Sequence, residues 1–211
     1  MVVEERVGVK HGPVRAYLDD FRAILNSLDT ADIFGVVEVL LGAYRGGAKV
    51  FLLGNGGSAA TASHFACDLG KNVVGPDGGR FKVIALTDNA AVLTAWANDT
   101  AYEHVFAEQL ASLLEPGDVV IGISGSGNSP NVLRAMELAQ VRGATTVGLI
   151  GFEGGRLKPL CDVSVVVPSD RMDQIENAHL TLEHLICHVL RLILAEEEIH
   201  DGFDIILPRM V

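Results

Sequence analysis

Residues 49–68, KVFLLGNGGSAATASHFACD, leave a fold little freedom. The apolar run Val50-Phe51-Leu52-Leu53 is short and β-prone, the pattern of a buried strand. It breaks at Gly54-Asn55-Gly56-Gly57-Ser58 and resumes with helical spacing from Ala59. A strand, a glycine-rich turn and a helix N-terminus together predict an anion cradle. Glycines let the backbone approach a ligand, free N–H groups face it, and the helix dipole favours negative charge. Ser58 is read as the helix N-cap. Such a turn either holds a phosphate or an array of sugar hydroxyls, or is an ordinary βα connection.

The same alternation recurs along the chain. Largely apolar runs at 83–86, 118–123, 146–150 and 163–167 read as four further buried strands, each followed by a helical pattern or a loop. Buried strands alternating with helices predict an α/β fold: a five-stranded parallel sheet covered on both faces, one domain over residues 1–211. Two helices are expected before the first strand, the first opening at Pro13 after a loose arm or an adaptable first turn over 1–12 and the second ending at Gly46-Gly47. A helix is expected at 90–97, another at 102–114, and a long closing helix at 173–199. The tail, 200–211, is expected to dock on a surface or a partner. Ligands in such sheets bind beyond the carboxyl ends of the strands.

Composition removes several classes of function. The net charge is −11, which argues against nucleic acid as a main partner, because that requires a basic face. No uninterrupted apolar run reaches the ~18 residues of a membrane span, and the charged N-terminus MVVEERVGVKHG lacks a signal-peptide core, so a cytoplasmic address and no membrane are expected. The three cysteines, Cys67, Cys161 and Cys187, form no CxxC pair and read as reduced thiols, each a small core residue.

A second cradle follows the third strand: Ser124-Gly125-Ser126-Gly127-Asn128-Ser129-Pro130. Three hydroxyls at a helix start suit a phosphate monoester without a buried Lys or Arg. The pattern is neither GxxxxGK[ST] nor GxGxxG, so P-loop and dinucleotide readings lack their residues. His64 and Asp68, at i and i+4, share one helix face, as two metal ligands or an acid–base pair would. The closing helix carries Glu176, His179, Glu183, His184 and His188. Glu176 with His184, His179 with Glu183, and His184 with His188 all return to nearby faces, and spacing does not choose among them. A solvated charged face has the same spacing.

With GNGGSAATASHFACDL at 54–69, TAWAND at 94–99, PGDVVIGISGSGNSPNVLRA at 116–135 and VPSDRMDQIENAHLTLEHLI at 167–186, nearly the whole chain resembles the sugar isomerase (SIS) domain family. Within it the chain is most similar to the phosphoheptose isomerases. The resemblance implies a flavodoxin-like three-layer αβα sandwich with an N-terminal helix pair, and a homotetramer with active sites between subunits. It implies a substrate site lined by Asn55, Gly56, Gly57, Ser58, Asn98, Asp99, Ser124, Gly125, Ser126 and Ser129. It implies zinc on His64, Asp68, Glu176 and His184, a donor set that would also suit manganese or iron. Three positions depart from the family's usual pattern: Asp68 where Glu is usual, Glu176 where Gln is usual, and Gly125 where Thr is usual.

The activity implied is aldose–ketose isomerisation of sedoheptulose 7-phosphate to an aldoheptose 7-phosphate, feeding nucleotide-activated heptose for surface glycans such as lipopolysaccharide. The catalytic residues would be Asp68 or Glu176 as base and His184 as proton shuttle through an enediol. The alternatives are an isomerase of another phosphosugar and a non-catalytic sugar-phosphate-binding adaptor or regulator. Retention of four ionisable residues at the four metal positions favours catalysis.

Overall fold

The structure, a computed structural model, describes the backbone of residues 2–200 and the side chains of residues 12–196. The tail expected to dock lies outside the described residues, apart from the end of the last helix. Helix α1 (Val2–Ser27) packs on the closing helix, and α2 (Thr30–Gly46) lies against the sheet. The expected loose arm and helix start at Pro13 are not what is found: α1 runs from Val2 through Pro13. The φ of proline is helical, so the ring is carried inside an exposed helix instead of setting its start, although it removes an i→i−4 bond and crowds the carbonyl one turn back. Asp29 caps α2 by accepting from the Ala31 N–H at 2.8 Å, and Gly47 ends it in the left-handed region.

Five strands follow: β1 (Lys49–Gly54), β2 (Lys82–Ala85), β3 (Val119–Ser124), β4 (Thr145–Gly151) and β5 (Val163–Val167), all parallel in the order β2-β1-β3-β4-β5. The helices between them are α3 (Gly57–Cys67), α4 (Ala90–Asp99), α5 (Ala107–Leu113) and α6 (Pro130–Val141), and α7 (Met172–His200) closes the chain. The single helix expected at 102–114 divides into a 3-10 turn, Tyr102–His104, and α5. Val105 and Phe106, consecutive and both fully buried, sit at the break.

Alternation along β1 splits the core in two. Val50 and Leu52 face Leu40 of α2, Phe65 of α3 and Leu182 of α7. Phe51 and Leu53 face Leu110 of α5 and Met136 of α6. This is the expected three-layer αβα arrangement. Over Met172–Glu196, α7 is long and apolar enough by composition to cross a membrane. Here Ile175, Ala178, Leu182, Ile186 and Leu190 are buried in the domain, against α2, α3 and β4. The core reading of the cysteines holds for buried Cys187 and half-buried Cys161, while Cys67, the last residue of α3, is exposed.

Register positions the site. Gly54 pairs with Ile123, so β1 and β3 end side by side and their two turns leave the sheet together. This is the carboxyl edge at which parallel sheets bind ligands.

Candidate active site

The first turn is shaped by what glycine lacks. A Cβ on Gly54 would lie 2.8 Å from the Ser58 carbonyl oxygen and 2.9 Å from that of Ile123. Gly56, with φ of 57°, is the residue that precedes α3, so Ser58 is not the N-cap. Ser58 instead sits in the first turn of α3, 5% exposed, and its N–H is bonded to the Asn55 carbonyl at 3.0 Å.

In the second turn Ser124 Oγ lies 3.4 Å from Ser129 Oγ and accepts the Gly127 N–H at 3.2 Å. Ser126 Oγ accepts the Asn128 N–H at 3.2 Å. The hydroxyls thus hold their own loop while lining its mouth. Asn55 Nδ2 donates to Asn131 Oδ1 at 2.9 Å, and Asn131 Nδ2 donates back to Asn55 Oδ1 at 2.8 Å. Tyr102 adds its hydroxyl to Asn55 Oδ1 at 2.9 Å.

Asn55, Gly56, Gly57, Ser58, Ser124, Gly125, Ser126 and Ser129 line one cleft of about 270 Å³, with Met172 and Glu176 of α7 as its further wall. The Glu176 carboxylate rests over Gly57, within 2.6 Å of where a Cβ on that residue would stand. Gly125 has its missing Cβ position occupied by Met172 Sδ. Asn98 and Asp99 are not brought into this cleft: both are exposed at the end of α4, where Asn98 Nδ2 donates to Asp99 Oδ1 at 2.8 Å. A wider cleft, about 770 Å³ beside Asp20, Asp32 and Arg171, contains neither strand-end turn.

Further along α7 a second group assembles. His64, Asp68, Glu183 and His184 each place one ligand atom within 4.8 Å of the others. His184 Nε2 is 3.2 Å from Glu183 Oε1 and 3.9 Å from Asp68 Oδ2; His64 Nδ1 is 3.6 Å from Glu183 Oε1. The two imidazoles meet edge to face with centroids 4.8 Å apart. Asp68 is oriented by Asn72 Nδ2 at 2.8 Å. His64 and His184 reach solvent, whereas Glu183 is fully buried and neither of its oxygens has a hydrogen-bond partner. Burial, reinforced by the Asp68 charge, pushes the Glu183 carboxyl up to about 8.

This donor set fits a divalent cation. Bonds of ~2.0–2.2 Å around a tetrahedral zinc place ligand atoms ~3.3–3.6 Å apart; the two contacts to Glu183, 3.2 and 3.6 Å, match this, and those to Asp68, 3.9 Å, are wider. Of the residues expected to bind metal, His64, Asp68 and His184 come together, and Glu176 stays at the cleft. Of the other imidazoles on α7, His188 is exposed, and His179 is fully buried away from this group, its pKa pushed down to about 4 by burial.

Asn131, Tyr102 and Met172 were not singled out by the sequence. The available signal for Asn131 was a helix-start Asn within SGNSPNVL, buried to 1% exposure. Glu183 stood among the open candidates of the closing helix.

A parallel sheet whose adjacent strands end in glycine- and serine-rich turns over a shared cleft has the arrangement with which α/β domains bind anions. Comparison with known proteins makes this specific. The SIS domain family model matches residues 16–151. The phosphoheptose isomerase of Trichlorobacter lovleyi is 37% identical over 82% of this chain and 89% of its own length. That of a Nitratiruptor species is 45% identical over 75% and 84%. The solved phosphoheptose isomerase of Neisseria gonorrhoeae superposes with a TM-score of 0.75 at 32% identity, over 89% of this chain and 98% of that one. The chain belongs to the SIS domain family, on its phosphoheptose isomerase branch.

Proposed function

We propose that the chain is an aldose–ketose isomerase converting sedoheptulose 7-phosphate to an aldoheptose 7-phosphate, as part of nucleotide-heptose and surface glycan synthesis. One observation carries this reading: the two strand-end turns share a cleft with Glu176, and the His64–Asp68–His184 group lies two turns further along α7. Eight residues of helix separate Glu176 from His184, a rise of ~12 Å. A phosphate held at the serine turn therefore leaves an open-chain sugar spanning toward the imidazoles.

The serine hydroxyls and the N-terminus of α6 bind the phosphate and fix the reacting end at a distance. Asp68 or Glu176 takes the proton from the carbon beside the carbonyl, and an enediol(ate) forms. His184, exposed above Asp68, moves a proton between the two oxygens. The site suits zinc, or manganese or iron, held by His64, Asp68 and His184 with one further carboxylate of α7, for which the family resemblance names Glu176. Such an ion, when bound, supplies Lewis acidity at the carbonyl.

We read the chain as one domain acting in the cytoplasm as a homotetramer. Exposed Val14 and Leu18 on α1 and Leu192 on α7 support association. Asn98 and Asp99, off the cleft within this chain, are assigned to substrate contacts completed across subunits.

The test is turnover by folded variants. Asp68→Asn and His184→Gln are each expected to keep the wild-type circular dichroism spectrum and lose at least 99% of isomerase activity, since general acid–base groups contribute ~10²–10⁴-fold. Wild-type rates in both would overturn the assignment.

A further inference from the structure

The geometry points to Glu183, not Glu176, as the second carboxylate ligand of the divalent cation held by His64, Asp68 and His184. This rests on the metal-dependent reading above and names the donor that completes the site.

Glu183 is fully buried, and neither carboxylate oxygen finds a hydrogen bond. A bare carboxylate in that position is expensive, by several kcal/mol even after relaxation. Among the described residues no Lys or Arg forms an ion pair with it; its ionic neighbours are His64 and His184. Asp68, on the other side, adds a second negative charge to the group. With both carboxylates ionised the group gathers two negative charges in one place, which a dication would balance.

Geometry agrees with chemistry. Glu183 Oε1 lies 3.2 Å from His184 Nε2 and 3.6 Å from His64 Nδ1, so it stands between the two imidazoles. Glu176 lies seven residues earlier on α7, a rise of ~10 Å, with its carboxylate over Gly57 among the serine-turn residues. The two acids thus divide the work. Glu183 holds the ion from below, where solvent does not reach. Glu176 remains in the cleft, beside the serine turn.

The experiment is zinc binding by the chelator-stripped full chain, followed by isothermal titration calorimetry, with bound metal counted by elemental analysis. Three variants are compared: Glu183→Gln, which keeps shape and removes charge; Glu183→Leu, which fills the same buried space without a ligand atom; and Glu176→Gln. Circular dichroism establishes that each is folded. The expected result is at least tenfold weaker zinc binding in both Glu183 variants and less than threefold change in Glu176→Gln. Wild-type affinity in both Glu183 variants overturns the proposal. Tenfold loss confined to Glu176→Gln also overturns it, while leaving the metal site standing. Absence of zinc binding by the unmodified chain overturns both this assignment and the metal-dependent reading.

Discussion

The side-chain amides of Asn55 and Asn131 bond to each other in both directions, at 2.9 and 2.8 Å. One follows β1 and the other opens α6, so the pair ties the glycine turn to the serine turn. Asn131 Oδ1 also accepts the Val132 N–H at 3.0 Å, which fixes its amide to the helix start. The two halves of the cleft are therefore held at a set separation by side chains, beyond the pairing of β1 with β3.

Asn131→Leu keeps the branched shape, in a slightly larger side chain, and removes both amide bonds. It strands the part-buried Asn55 amide, at a cost of about 1–3 kcal/mol in urea denaturation. The account also predicts a raised KM for the sugar phosphate with a smaller change in kcat, because the loss is in positioning the cleft. Unchanged stability and KM would show that the pair does not hold the turns together.

Gly125 and Met172 occupy one space. A side chain at 125 would meet the Met172 thioether, the flexible end of a residue that is 43% exposed. Gly125→Thr, which restores the hydroxyl usual in the family, is predicted to fold and to weaken sugar-phosphate binding because Met172 is pushed toward the cleft. Adding Met172→Ala should recover it. A double-mutant cycle on the binding constants should show coupling of at least about 0.5 kcal/mol. Additive effects would separate the two positions.

His179 gives stability a pH dependence of known sign. Burial lowers its pKa from 6.5 to about 4, so between these values the unfolded chain binds a proton that the folded chain refuses. Its contribution to stability is complete above pH 6.5 and is lost as pH falls toward 4, of the order of 3 kcal/mol in all. Urea denaturation of wild type and His179→Gln across this range should show a steeper acid loss in wild type. Parallel curves would remove His179 as the cause.

Much of this architecture was legible in the chain because its strands are short apolar runs, two of them, β1 and β4, closed by glycine. The edges of β1, β2, β3 and β4 moved by a residue or so, and β5 stood where Val163–Val167 placed it. What failed depended on tertiary context: Pro13 lies inside an exposed helix, and the break before α5 falls at two consecutive buried residues. The serine and glycine turns were readable because anion binding requires those residue types at a strand end. The choice between Glu176 and Glu183 was not readable. Seven residues return a helix to within ~20° of the same face, whereas eight leave it ~80° away, so both acids are compatible with His184. The height at which α3 crosses α7 decides which one meets His64, and only the folded chain sets that height.

The most direct test of the central claim is a proton NMR time course of the purified chain with sedoheptulose 7-phosphate, with and without added zinc. The account predicts a growing aldose anomeric signal that rises faster with zinc. A ketose spectrum that stays unchanged in both conditions would contradict it.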